Sequence, residues 1–274
     1  MNIGKELRLN HLFHPQSKRM VLITMDHGIC VSPMKEISKP EVMVERIVEG
    51  GADAILITPG IAKRVYPKLI GSRTSLMIRV DGTATSIGPD LTNDALICTA
   101  EGALRLGADG IATLGVIGVP REAELSHKIA MLSVECDRLG LPLVAEMVPT
   151  DKLAYMFEAK QNRQWPSQAE LVKYGSRVAV ELGADVVKGF YTGDKESFRE
   201  VLDYCPAPYL VLSGPAAGDP EVFLQFIKDA LDCGASGVSV GRNVWTYPQP
   251  SKMVRALCRL VHENASVASA MKEL

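Results

Sequence analysis

No two of the six cysteines, at positions 30, 98, 136, 205, 233 and 258, form a Cys-x-x-Cys unit, and none stands at zinc-ligand spacing. An even count in a chain of 274 residues does not imply disulfides, so reduced core thiols are expected. The histidines, at 11, 14, 27, 127 and 262, make no zinc constellation either, and no metal is expected. Charge of one sign is also lacking: 30 Lys and Arg stand against 32 Asp and Glu, a formal net charge of −2. That balance gives no bulk attraction to nucleic acid or to an anionic membrane, so any anionic ligand must be held locally. Met1 to Arg8 carries no apolar signal-peptide core, and no apolar run is long enough to span a bilayer, so a cytoplasmic location is expected. Linkers, low-complexity segments and shifts of composition are absent. The expectation is a single domain over residues 1–274, with residues 1–18 as an N-terminal extension.

What the chain does contain is one repeated unit: a short apolar run, a Gly/Pro/Asp loop and an amphipathic helix. Strands are expected to begin near Met20, Ala54, Ser75, Gly110, Leu141, Asp185, Pro208 and Gly237. Helical spacing of apolar residues marks Pro40–Gly50, Asn93–Leu106, Glu122–Leu139, Ala169–Leu182 and Pro220–Leu231. Gly51-Ala52-Asp53, Gly107-Ala108-Asp109, Gly183-Ala184-Asp185 and Gly234-Ala235 fall where a helix needs a left-handed residue before the next strand. Eight such units predict an α/β fold, a (β/α)₈ TIM barrel. A doubly wound open sheet competes, but the turn after the first strand reads Asp26-His27-Gly28-Ile29-Cys30 and lacks Gly-x-Gly-x-x-Gly. The long loop after strand five, residues 150–167, falls on the catalytic face; it reads equally as a lid or as a surface excursion.

In a barrel the site lies at the C-terminal strand ends. Strand alternation predicts Thr24, Asp26, Arg79, Asp81, Thr113, Glu146, Lys188, Ser213 and Ser239 as inward-facing polar residues. Lys188, near the end of Asp185-Val186-Val187-Lys188-Gly189-Phe190-Tyr191, is the most informative. A buried lysine is either one half of an ion pair or an amine poised to form a Schiff base with a carbonyl. His27, beside Asp26 but of opposite parity, reads as a proton shuttle or as a structural hydrogen-bonding residue. Ser213-Gly214-Pro215-Ala216-Ala217-Gly218 after strand seven and Gly241-Arg242-Asn243 after strand eight form a candidate phosphate site, with Arg242 as its fixed charge.

Met25-Asp26-His27-Gly28, Val186-Val187-Lys188, the Ser213-Gly214 loop and the run Gly234 to Trp245 together resemble the archaeal-type class I fructose-bisphosphate aldolase family. Its relatives include aminodideoxyheptulosonate synthase and the autoinducer-2 phosphate aldolase/thiolase branch. The resemblance runs from about Arg19 to Asn264. It implies a Schiff-base lysine at Lys188, an acid/base at Asp26 and phosphate binding by Ser213, Gly214, Gly241 and Arg242. It also implies metal-free chemistry with no cofactor, a sugar-phosphate substrate, and a ring-based homo-oligomer, often a decamer. Two departures stand out. Val148 occupies the place of the family's tyrosine proton donor, and Ser-Gly-Pro replaces Ser-Gly-Gly after strand seven, with one fewer backbone N–H. Glu146 is the candidate replacement acid, and Tyr191 is a second if strand six twists. The leading expectation is a class I aldolase of a phosphorylated ketose. A transaldolase-like or acyl-transferring enzyme using the same lysine is the runner-up, and a non-catalytic phosphate-binding barrel is the third reading.

Overall fold

The computed structural model describes residues 2–31, 33–149, 168–213 and 217–274. Eight parallel strands close a barrel in sequence order, each bonded to its neighbours, with β8 returning to β1. They are β1 Met20–Thr24, β2 Ala54–Ile57, β3 Ser75–Arg79, β4 Gly110–Ile117, β5 Leu143–Pro149, β6 Val186–Phe190, β7 Tyr209–Leu212 and β8 Gly237–Val240. The expected strands are all present, five of them from the expected residue onward. The helices are α1 Ile3–Leu12, α2 His27–Cys30, α3 Pro40–Gly50, α4 Pro59–Val65, α5 Ala100–Arg105, α6 Glu122–Leu139 and α7 Gln168–Glu181. They continue with α8 Lys195–Asp203, α9 Pro220–Cys233, α10 Arg242–Trp245, α11 Pro250–His262 and α12 Val267–Ala270. Among the described residues, no helix is long and apolar enough to cross a membrane.

The Gly-Ala-Asp tags have a double use. Gly51, Gly107 and Gly183 take φ of 86°, 83° and 90°, a region that a side chain disfavours, and so end their helices. The aspartates then accept from the adjoining strand's backbone: Val21 N–H to Asp53 at 2.6 Å, Leu76 N–H to Asp109 at 3.2 Å and Leu143 N–H to Asp185 at 2.8 Å. Each tag thus stops a helix and fixes where the next strand enters.

Two features differ from the sequence expectation. The helix expected over Asn93–Leu106 is confined to Ala100–Arg105, where Thr99 Oγ1 accepts from Gly102 N at 3.0 Å as its N-cap. Asp94 instead accepts from Thr83 N at 3.0 Å, and Ile97 N and Cys98 N donate to Val80 O. Residues 80–99 therefore form a tied-down loop beside the barrel mouth. The second difference is the N-terminal extension, which holds α1. Its Leu12 is fully buried in one cluster with Met20, Leu22, Ala54, Leu56, Met77, Ala112, Val144, Val186 and Leu210. These are the inward residues of the barrel floor, and α1 closes it from below. The expected loop 150–167 lies outside the described residues.

Candidate active site

Alternation along the strands carries charge to the other end of the barrel. On β6, Val186 sits in the apolar floor and Lys188 two residues later faces the same way. On β5, Val144 is followed by Glu146, which is in register with Lys188. Lys188 Nζ donates to Glu146 Oε2 at 2.9 Å. Arg79, closing β3, donates from Nη1 to the same oxygen at 2.6 Å and to Asp26 Oδ2 at 3.3 Å. Its Nε donates to Asp81 Oδ1 at 2.5 Å. Lys188 is only 3% exposed, and Asp26, Arg79, Asp81 and Glu146 are buried with it. Charges taken this far from water persist only when paired and hydrogen-bonded, and here each has an opposite partner.

These pairings set the protonation states. Burial alone would raise the Asp26 carboxyl, but His27, Lys188 and Arg79 together hold it well below the usual carboxylate range. For Glu146, burial and the nearby Asp26 push upward, and the charges of Lys188 and Arg79 outweigh them and lower it. Both are therefore bases at neutral pH and become acids only after taking a proton. The Cys30 thiol shares the pocket, but burial, reinforced by Asp26, pushes it up to about 12, so it stays protonated.

Asp26, His27, Glu146, Lys188, Ser213, Gly241 and Arg242 all line one cavity at the C-terminal mouth. Gly214 lies outside the described residues. His27 opens α2 after β1 has ended, so strand parity no longer separates it from Asp26; its Nδ1 lies 3.4 Å from Asp26 Oδ1. Its ring meets Trp245 edge-on with centroids 5.4 Å apart, and Trp245 Nε1 donates to Thr24 O at 3.0 Å. A Cβ on Gly241 would come within 2.7 Å of Thr24 Oγ1 and 2.8 Å of His27 Cε1, so only glycine lets the backbone pass there. Asn243 Oδ1 accepts from Ala217 N at 2.8 Å and ties the loop after β7 to α10. Ser239 also lines the cavity, and its Oγ has no hydrogen-bond partner among the described residues.

Two expectations, Thr113 and Tyr191, need correction, and a third, Ser213, holds for a different reason. Thr113 does not face inward: Ala112 belongs to the barrel floor and Leu114 to the cavity, leaving Thr113 on the outer face, where its Oγ1 donates to Asp81 Oδ2 at 2.5 Å. Both faces of β4 are buried, so hydrophobicity gave no parity signal. Ser213 reaches the cavity because β7 has ended at Leu212, not through alternation. Tyr191 is no substitute acid. It is buried in the layer outside the barrel, edge-on to Phe198 and Phe226 at 5.0 and 5.2 Å between centroids, and does not line the cavity. Val148 does line it.

Two groups escaped sequence reading altogether. Lys128, on α6, donates from Nζ to Asp81 Oδ2 at 2.6 Å and to Asp94 Oδ2 at 3.0 Å. A lysine in an amphipathic helix and an aspartate in a loop carry no signal of their own; only the fold brings them to Asp81.

The barrel, with a buried lysine among carboxylates at its mouth, has the form of an enzyme for carbonyl chemistry. Residues 20–247 match the DeoC/LacD family aldolase. An uncharacterized aldolase of Saccharolobus solfataricus is 34% identical across 99% of each chain. The 2-amino-3,7-dideoxy-D-threo-hept-6-ulosonate synthase of Halobacterium salinarum is 34% identical over 98% of this chain and 95% of its own. An archaeal fructose-1,6-bisphosphate aldolase, solved with its catalytic lysine covalently bound to the carbinolamine intermediate, is 27% identical with a TM-score of 0.81, covering 94% of this chain and 99% of that one. The chain belongs to the DeoC/LacD aldolase family and is an aldolase.

Proposed function

We propose that the chain is a class I aldolase acting on a phosphorylated ketose, with Lys188 as the nucleophile that forms the Schiff base. The observation carrying this reading is the Lys188–Glu146 contact of 2.9 Å at the closed barrel's mouth, with Arg79 bridging Glu146 to Asp26. Glu146 takes a proton from Lys188 Nζ, and the freed lone pair adds to the substrate ketone to give a carbinolamine. The proton held by Glu146 then goes to the departing hydroxyl, which leaves as water, and an iminium remains. Asp26 removes the proton from the hydroxyl on the far carbon of the bond that breaks, which becomes the aldehyde carbon. The aldehyde departs, the bonding pair moves into the iminium as an enamine, and protonation and hydrolysis return the free lysine. The carbinolamine seen on the lysine of the archaeal aldolase supports the first step.

Ser213, Gly241 and Arg242 hold the phosphate, at the place where this architecture commonly binds one. One observation favours a second reading, in which the enamine is passed to another acceptor. Val148, on the cavity wall, cannot donate a proton to a leaving group as a tyrosine would. The test is borohydride reduction in the presence of dihydroxyacetone phosphate, followed by peptide mapping. A stable adduct on Lys188 is expected. Its absence, with turnover of ketose phosphates intact, would overturn the Schiff-base reading, and analysis of free aldehyde separates cleavage from transfer.

A further inference from the structure

Six groups of alternating sign, all buried but the half-buried Lys128, run in a line out of the active site: Lys188, Glu146, Arg79, Asp81, Lys128 and Asp94. Successive contacts are 2.9, 2.6, 2.5, 2.6 and 3.0 Å. Lys188 and Arg79 lie within the barrel, whereas Lys128 comes from α6 outside it and does not line the cavity. We propose that Lys128 is a positioning residue of the aldolase site, acting through Asp81 and Arg79 on the two carboxylates that serve Lys188. This rests on the reading of Lys188 as the Schiff-base nucleophile.

Geometry makes the argument. A guanidinium is planar and rigid, so the direction of its Nε contact fixes where Nη1 points. Arg79 Nε is committed to Asp81 Oδ1, and Nη1 is thereby aimed at both Asp26 and Glu146. Asp81 in turn is fixed through its other oxygen by Thr113 Oγ1 at 2.5 Å, Leu114 N at 2.7 Å and Lys128 Nζ at 2.6 Å. Only the last of these is charged. It keeps Asp81 from claiming the whole of Arg79's charge, which must be shared with Asp26 and Glu146.

The charged groups facing Lys128 are Asp81, after β3, and Asp94, from the loop 80–99. Those facing Glu146 are Lys188 and Arg79, with Asp26 nearby and the Cys30 thiol beside it. Removing the Lys128 charge leaves Asp81 and Asp94 buried together without their common cation. It also lowers the positive potential at Asp26 and Glu146, which then keep a proton to higher pH. A protonated Glu146 cannot relieve Lys188 of its proton. The sign follows: the acid limb of imine formation moves up in pH.

The measurement is the rate of borohydride trapping of dihydroxyacetone phosphate on Lys188, as a function of pH and of ligand concentration. Lys128→Met should trap about tenfold more slowly on the acid limb, which should lie about one pH unit higher, with the rate at neutral pH much nearer wild type and the half-saturating concentration within roughly threefold. Lys128→Arg, which keeps the charge, should hold the wild-type acid limb and recover most of the rate. If Lys128→Met folds poorly, the double variant Lys128→Met/Asp94→Asn, which removes one uncompensated carboxylate, should show a limb displaced in the same direction but by less, because the lost negative charge offsets part of the lost positive one. Trapping by Lys128→Met at the wild-type rate and pH dependence would overturn the proposal. So would a loss of rate at an unmoved acid limb that Lys128→Arg does not restore, the signature of packing alone. A wild-type protein that gives no adduct refutes the Schiff-base reading itself, and this inference with it.

Discussion

At the floor of the barrel the inward residues are Met20, Leu22, Ala54, Leu56, Met77, Ala112, Val144, Val186 and Leu210, every one of them fully buried hydrocarbon or thioether. At the mouth the same strands present Arg79, Glu146 and Lys188, with Asp26 just beyond β1. The change takes one inward step on each strand: Met77 to Arg79, Val144 to Glu146, Val186 to Lys188. The two ends are buried to a similar degree but for opposite reasons. The floor gains free energy from every apolar group it removes from water, roughly 25 cal/mol per Å². The mouth loses free energy by desolvating ions and recovers it only through their mutual pairing, so it contributes little net stability. A barrel built this way can change its chemistry at one end while its stability is secured at the other.

The sharpest way to break this comparison is at Lys188. Lys188→Met should abolish both borohydride trapping and turnover, since a thioether cannot form an imine, while the protein stays folded with a lowered unfolding midpoint, because Glu146 and Asp26 then share Arg79 alone within the barrel. Lys188→Arg should be equally inactive, its guanidinium being protonated at working pH. A Lys188→Met protein that retains substantial turnover would return the mouth to a purely structural ion-pair cluster.

Next in size is Glu146→Gln. An amide cannot accept the proton that Lys188 must release, and the loss of a well-placed general acid/base typically costs 10²–10⁴-fold in rate. Turnover should fall within that range while KM changes little. Kinetics left unchanged would mean that Asp26 serves Lys188 as well, and that Glu146 belongs to the structural side of the comparison.

Arg242→Ala should act on binding more than on chemistry. Losing a charge-assisted hydrogen bond of about 1.5–3 kcal/mol should raise KM for a ketose phosphate roughly ten- to a hundredfold, with kcat moved less. Equal kinetics of the wild type on phosphorylated and unphosphorylated substrates would remove Arg242 from the phosphate site.

The two ends also differed in how legible they were. The eight strands and their order could be read from apolar runs between Gly-Ala-Asp tags, because floor and wall are built by burial alone, which hydrophobicity reports. Lys188, Asp26 and Glu146 were legible as strand-end polar residues, and Arg242 through its Gly-Arg-Asn setting. What hydrophobicity could not report was direction, where both faces of a strand are buried. Thr113 on β4 was therefore assigned to the wrong face. Nor could it distinguish side chains that cap a helix from those that pin a loop. Asn93 and Asp94 look like the start of a helix, yet Asp94 bonds Thr83 N and Lys128 Nζ, and the helix begins at Ala100. Lys128 is the limiting case, since nothing local distinguishes it from a solvated helix lysine.

The smallest effect on activity is expected at the floor, from Leu12→Ala. Leu12 closes α1 and is fully buried against the barrel interior; a Cβ on Gly110 would lie 3.2 Å from its Cδ1 and 3.3 Å from Met77 Cε. Helix α1 is held independently of Leu12. Lys5 Nζ donates to Asp137 at 2.5 Å and Asp185 at 3.0 Å, and Arg8 Nη1 donates to Gly140 O at 2.9 Å. Truncation therefore leaves the helix in place over a cavity that the surrounding side chains fill only partly. Leu→Ala changes of this kind cost about 2–5 kcal/mol. Chemical denaturation should show that loss, while kcat and KM, measured well below the lowered unfolding midpoint, stay within about twofold of wild type, as for a site sharing no partner with the mutated residue. A marked fall in kcat with the protein still folded would show that the floor sets the geometry of the mouth. The separation drawn between stability below and chemistry above would then fail at the layer where Val144 and Val186 give way to Glu146 and Lys188.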